Sequence, residues 1–416
     1  MKGWGTYAAA FLLGMAVVGG LAFRLDPHVN GRDFMHNGWI PARLILADEN
    51  PYAPDQQRVR ELAGDYLGTL LEDGGANYNT GPAYNAVYPF WALALQVPLG
   101  WLDFPTALIV WTLFSGAALV IAVLITLAAV RRMLGAPFGP RAWTGTCLAV
   151  TLIAVLFMPT CLHFFLGQYS ALIFLALALA FRPGCSPGAG ALAFALATMK
   201  PQLSALALGL MLLGWMAAAP GRAWSAAAAT AALHLGPLAF FPHAVADWFS
   251  VNFLVQKQAY RLAPVSSSWW GAAYHGAGWL GSRWWVVAAI LSVSTLLLLL
   301  RPLRNVWRDG EWRSALPLTV IVTLLVTPYT IAYDQVLLLL PAVWLWMRVV
   351  VAGNRQARLV GLALLVWSTL LPMLLLFAME AVHSNYVKVT QTLGLLGLYY
   401  WTAAVTPPLG RGRPPC

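Results

Sequence analysis

Few residues in this chain are suited to chemistry. Asp33, in Gly31-Arg32-Asp33-Phe34, follows an apolar N-terminal run by about ten residues and is held close to a membrane surface. A carboxylate there can act as a general base; the competing reading is an N-cap for a helix through Phe34 to Leu46. Asp26, Asp48 and Asp55 read as solvated or turn residues. Lys200, in Lys200-Pro201-Gln202, and Asp334, in Tyr333-Asp334-Gln335, adjoin apolar runs. An ionisable group near hydrocarbon costs ~2.5 to 3.5 kcal/mol on insertion scales, which marks both as functional candidates. Lys200 also reads as a residue snorkelling from a helix end. Arg261, in Tyr-Arg-Leu-Ala-Pro beside Lys257, is a second cation able to hold an anion, or a solvated loop residue. Further polar groups fall in Asn50-Pro51-Tyr52, Tyr88-Pro89, Gly167-Gln168-Tyr169 and Pro328-Tyr329-Thr330.

The elements that must position these residues are membrane helices. Hydrophobic residues make up 60% of the 416, charged residues 10%, and mean hydropathy is +0.69, more apolar surface than one soluble core can bury. Inside a bilayer every backbone polar group must be paired within the chain, and the Ala-, Leu- and Val-rich runs are too long for barrel strands. The expectation is an all-α polytopic membrane protein, a single integral domain over 1–416 with about twelve spans: 5–23, 106–130, 143–163, 168–182, 187–199, 201–218, 224–241, 276–300, 313–327, 334–350, 359–379 and 389–405. Two of these, 168–182 and 187–199, are short for ~30 Å of hydrocarbon.

Lys and Arg set the orientation. With the N-terminus inside, Arg131, Arg132, Arg141, Arg182, Arg222, the Arg301 to Arg313 cluster, Arg355, Arg358, Arg411 and Arg413 all fall on the inner side. The formal charge of +10 is therefore read as topology and not as a nucleic-acid footprint. Both termini are expected to be cytoplasmic, with outer loops at 24–86 and 242–275. The polar motifs then gather on the outer face, as a shared site there requires. Tyr88 to Trp101 is apolar enough to enter the membrane, yet a full span there would invert every later loop. A re-entrant or interfacial helix pair is the favoured reading, extending the first outer loop to 24–105, and a short true span is the alternative.

Residues 1–23 read as a retained anchor and not a cleaved signal. Cys147 and Cys161 are fourteen residues apart on one expected helix, roughly 21 Å, beyond disulfide reach. The histidines share no i,i+4 spacing, and no cofactor or metal site is expected. The Trp residues cluster at span ends, as interface belts do.

In their order and sidedness these motifs resemble glycosyltransferase family 87, the GT-C polyprenyl-phosphate-sugar transferases, which include mannosyl- and arabinofuranosyltransferases of the cell envelope. The resemblance runs through Arg32-Asp33-Phe34, Asn50-Pro51-Tyr52, Tyr88-Pro89, Gly167-Gln168, Lys200-Pro201-Gln202 and Pro328-Tyr329 followed by Tyr333-Asp334, and covers nearly the whole chain. Departures are Tyr88-Pro89-Phe90 where Tyr-Pro-Pro is usual, Tyr169 where Asn is common, and a first loop lengthened over Gln56 to Thr80. The resemblance implies a GT-C-like bundle and places the family's catalytic acid at Asp33.

A hexosyl- or pentosyltransferase of this kind takes a polyprenyl-phosphate sugar, mannose first among the sugars considered, sideways from the bilayer. It passes the sugar to a hydroxyl of a lipid-linked or glycan acceptor. One carboxylate and one or two cations suffice for this. The expected assignments are Asp33 as base, and Lys200 and Arg261 for the donor phosphate. Tyr52, Tyr88, Gln168, Gln202, Tyr329, Tyr333 and Asp334 are expected to make sugar or acceptor contacts, with helix–helix hydrogen bonding as their structural alternative. The competing function is a polytopic transporter or lipid flippase, for which an internal repeat and midplane charges are usual.

Overall fold

The computed structural model describes residues 4–64, 66, 86–135, 138–257, 266–328, 330–351 and 384–405, together with 355, 359 and 363. Helices of all three kinds make up its regular structure, and no strand occurs among the described residues.

The N-terminal helix Trp4–Ala22 packs antiparallel against Phe104–Leu134. A Cβ on Gly14 would lie 2.7 Å from Val120 Cγ2, and one on Gly116 would overlap Val18. Each helix thus offers a small residue to the other's valine, the close-approach device of helix pairs in lipid, where no hydrophobic effect separates helix from tail. A third helix, Pro140–Leu156, closes this layer, with Thr6 Oγ1 2.8 Å from Thr144 Oγ1.

Five helices have the length and apolarity of a crossing: Trp4–Ala22, Phe104–Leu134, Pro201–Ala218, Leu280–Asp309 and Ala332–Val350. Two bent pairs, Pro140–Leu156 with Met158–Leu166 (53°) and Pro220–Ala239 with Ala244–Ser250 (106°), raise the number to seven. The difference from the expected twelve has local causes. The expected 143–163 span breaks at Phe157 because Pro159 has no N–H for the Val155 carbonyl, which Cys161 Sγ approaches at 3.8 Å instead. Ser170–Phe181, Pro187–Ala197 and Leu316–Val326 are apolar but only 12, 11 and 11 residues long. Most of 359–379 lies outside the described residues.

The Tyr88 to Trp101 segment forms two five-residue turns, Phe90–Ala94 and Val97–Trp101, neither long enough to cross. Leu300–Asp309 is an amphipathic helix with Val306 buried and Arg301, Arg304 and Arg308 exposed, so the expected basic loop is in part helical.

Helix ends, more than helix middles, position the polar residues. Ser170–Phe181 packs between Phe104–Leu134 and Pro187–Ala197, and its N-terminus meets the end of Met158–Leu166, the start of Pro201–Ala218 and the 3₁₀ segment Ala332–Leu338.

Candidate active site

Asp33 lies in a continuous helical stretch from Arg32 to Leu46 that passes through a π-helical turn at Met35–Trp39. Gly31 occupies the N-cap position, so Asp33 sits in the first turn and does not cap, contrary to the structural alternative drawn from the sequence. Pro41 cannot donate to the Asn37 carbonyl four residues back. The Tyr169 hydroxyl donates there instead, at 3.1 Å, tying the Asp33 helix to the Gln168 turn.

Gln168 is reached through Gly167, which ends Met158–Leu166 in a left-handed conformation (φ 71°). A Cβ there would also overlap the Phe34 Cβ. Phe34 in turn stacks on Trp111 at 5.6 Å, and Trp111 Nε1 donates to the Gly167 carbonyl at 3.0 Å. Only glycine meets both demands, since a left-handed L-residue costs ~1 to 2 kcal/mol before any clash. Gly167→Ala is expected to push Phe34, and Asp33 with it, away from Gln168, reducing any activity that uses Asp33 at least tenfold. Catalytic rates and thermal melts of the two proteins check this, and parental rates would dissolve the coupling.

Lys200 stands at the break between Pro187–Ala197 and Pro201–Ala218, with non-helical φ −135° and ψ 76°. Pro201 orphans the Ala197 carbonyl, which accepts the Ser204 hydroxyl at 2.6 Å, so the break costs no buried hydrogen bond. From this corner the Lys200 ammonium donates to Asp334 Oδ1 at 2.8 Å and to Gln168 Oε1 at 3.3 Å. It also lies 4.8 Å from the Tyr333 ring centroid and 5.8 Å from that of Tyr88.

Asp334 is fully buried and both its oxygens are engaged. Oδ1 accepts from Lys200 and from the Ser170 hydroxyl (2.8 Å), and Oδ2 from the Ile331 N–H (3.1 Å). A buried ion pair offsets its desolvation only with such added hydrogen bonds. Asp334 therefore orients Lys200, with most of its acceptor positions taken by protein groups.

Gln168 joins the two halves. Its amide N–H donates to Asp33 Oδ2, while its carbonyl accepts from Lys200 and from the Tyr88 hydroxyl (2.9 Å). Asp33 and Lys200 are thus separated by one carboxamide and two hydrogen bonds, at most about 8 Å. The withdrawal of water from the Asp33 carboxyl raises its pKa above the ordinary aspartate value, with Lys200, Gln168 and Arg32 pulling the other way. One turn on, burial holds His36 neutral with its pKa lowered to about 4, helped by the charge of Arg32.

Asp33, Tyr88, Gln168, Lys200, Tyr333 and Asp334 thus converge, as the sequence predicts. Tyr52 is a strut one layer out: buried, it donates to the Tyr88 carbonyl at 2.8 Å, and burial pushes its phenol up well beyond the usual range, with the charge of Asp247 adding. Gln202 is exposed, and its main-chain carbonyl, not its side chain, is engaged, by Thr327 at 3.1 Å. Arg261 and Tyr329 lie outside the described residues. Sequence reading missed Ser170, whose only signal is its place at a helix start two residues after Gln168. Among the described residues no group of His, Cys, Asp and Glu could hold a metal ion.

The family model described as Glycosyltransferase family 87 matches residues 86–328, more than half of the chain, and includes Tyr88, Gln168 and Lys200. The chain belongs to glycosyltransferase family 87. It is a membrane glycosyltransferase, acting on a sugar donor and an acceptor. Asp33 and Asp334 fall outside the matched segment but inside the hydrogen-bonded cluster that it builds. No curated protein and no solved structure matches the chain.

Proposed function

We propose that this family 87 enzyme moves a sugar, mannose foremost, from a polyprenyl-phosphate donor to a hydroxyl of a lipid-linked or glycan acceptor, with Asp33 as general base. The observation that supports it is the joining of one carboxylate and one ammonium through the Gln168 carboxamide. Two of the ammonium's three N–H groups meet Asp334 and Gln168, which leaves the third for the donor phosphate. The acceptor oxygen attacks the anomeric carbon from the face opposite the phosphate. The new C–O bond forms as the sugar–phosphate bond breaks, the proton passes to Asp33, and the departing phosphate keeps the electron pair beside Lys200.

Arg261 is proposed as a second phosphate cation, and Tyr88 and Tyr333 as aromatic faces for the sugar. We further propose cytoplasmic termini and catalysis at the outer face of the cell membrane, with the shorter apolar helices adding crossings to the seven candidate spans. No observation favours a transporter or flippase: the charged pair sits where helix ends meet, within a transferase family.

Membranes containing the protein, given radiolabelled polyprenyl-phosphate-mannose and extracted lipids, should form a labelled lipid or glycan. Absence of product with this and other polyprenyl-phosphate sugars removes the proposal. The base must be ionised to act, and its pKa is raised. Transfer rates should therefore fall on acidification with a midpoint above the ordinary aspartate value of about 3.9. An acid limb at or below that value argues against Asp33.

A further inference from the structure

Beside the candidate active site lies a cleft of about 210 Å³ that none of the reacting groups lines. Its walls come from the Asp48–Tyr52 turn, from Phe90, and from the Phe240–Asp247 corner where two helices meet at 106°. Asp48, with φ 59° in the left-handed region, turns the first wall, and Asn50 Nδ2 donates to Asp247 Oδ2 across the cleft at 2.7 Å. Phe240 is 79% exposed, and Phe241 packs on Phe90 at 4.7 Å.

We propose that this cleft binds a neutral sugar ring of the acceptor, one unit away from the hydroxyl that reacts, an inference that rests on the transferase reading above. The lining chemistry selects the ligand class. Two carboxylates and a carboxamide accept and donate to vicinal hydroxyls, and the exposed Phe240 ring suits the apolar side of a sugar ring. No Lys or Arg lines the cleft, His243 is its one basic side chain, and its two carboxylates disfavour an anion, which assigns the donor phosphate to Lys200 and not to this cleft. The volume is below the ~300 Å³ at which pockets for drug-sized ligands begin, room for one ring and not a chain.

Position supports an acceptor role. Cleft and active site are linked through the Val87-Tyr88 segment: Tyr52, which lines the cleft, donates to the Tyr88 carbonyl (2.8 Å), and Trp248, next to Asp247, donates to the Val87 carbonyl (3.0 Å). From the other side the Tyr88 hydroxyl reaches Gln168, the residue that holds Asp33. The cleft and the base are thus joined by the chain Tyr52, Tyr88, Gln168 and Asp33, which places a ring in the cleft next to the reacting one.

The test measures equilibrium binding of tritiated neutral disaccharides of mannose, glucose, galactose and arabinofuranose to the purified full chain in lipid nanodiscs. Phe240→Ala and Asp247→Asn are compared with the parent, and glycosyl transfer is assayed on the same samples. Phe240 is exposed and Asn can keep the bond to Asn50, so both variants should elute and melt as the parent does. At least one disaccharide should bind the parent, each substitution should weaken it about tenfold, and a uronic-acid disaccharide should bind at least tenfold more weakly than its neutral counterpart. Equal binding by parent and variants, tighter binding of the acidic disaccharide, or no binding of any neutral disaccharide overturns the assignment. Binding lost in the variants with no transfer by any protein keeps the cleft and sinks the transferase reading, so the two fail separately.

Discussion

Asp33→Asn is expected to lower turnover by ~10² to 10⁴ while expression and donor binding persist. Asn keeps the side-chain volume, and its carbonyl can still accept the Gln168 amide N–H, but it cannot take a proton from an acceptor hydroxyl. The substitution is clean for a local reason: Gly31, not Asp33, holds the N-cap position, so no helix cap is lost. Asp55→Asn is the control. Asp55 caps Gln56–Ala63 by accepting from the Gln57 N–H at 3.0 Å, and Asn caps about as well, so that variant should transfer sugar at the parental rate. Single-turnover measurements separate chemistry from product release. Near-parental transfer by Asp33→Asn would remove Asp33 as the base and leave Asp334, the other carboxylate in the cluster, as the next to examine.

The site was legible in the sequence because membrane burial makes polar residues conspicuous. Lys200 and Asp334 stood out against apolar runs, Gln168 through its glycine neighbour, and all three meet. What each does once there was not legible. Asp334 reads as a sugar ligand, and its bond to the Ser170 hydroxyl, from a segment far off in the chain, beside the local Ile331 N–H, is what makes it an orienting group for Lys200. Tyr52 likewise reads as a ligand; its hydroxyl bonds the Tyr88 carbonyl, and the residue lines the neighbouring cleft. The helical class followed from hydropathy, whereas individual spans did not. Hydropathy averages over a window and is blind to one residue without an N–H, so the break at Phe157 before Pro159 cut a helix that composition alone would have run on, whereas the corner at Lys200-Pro201 fell between two expected spans. The cleft at Asp48 and Asp247 lay furthest from view, since its walls are some two hundred positions apart in the chain and joined by a single side-chain hydrogen bond.

Lys200 presents a harder case than Asp33, because it serves two neighbours at once. Lys200→Met leaves the Asp334 carboxylate buried without its cation, a change that typically costs ~3 to 5 kcal/mol, so the single variant should melt earlier and be recovered in lower yield. Any loss of donor binding in that variant is therefore ambiguous. Pairing it with Asp334→Asn removes the stranded charge and keeps an oxygen for Ser170 or the Ile331 N–H, and the double variant should regain most of the lost stability. If the third N–H of Lys200 holds the donor phosphate, that recovered protein should still bind polyprenyl-phosphate sugar about ten- to a hundredfold more weakly, as expected for a charged hydrogen bond of ~1.5 to 3 kcal/mol. A residue that is only the partner of Asp334 predicts the opposite, with donor affinity returning alongside stability. A second readout moves independently of folding. The charge of Lys200 holds the Asp33 pKa down against burial while that of Asp334 pushes it up, so in the single variant, which loses only the first, that pKa rises and the acid limb of the residual transfer activity should shift to higher pH. A limb unmoved in the single variant, together with parental donor titrations in the double variant, would confine Lys200 to a structural role and leave the phosphate to another cation.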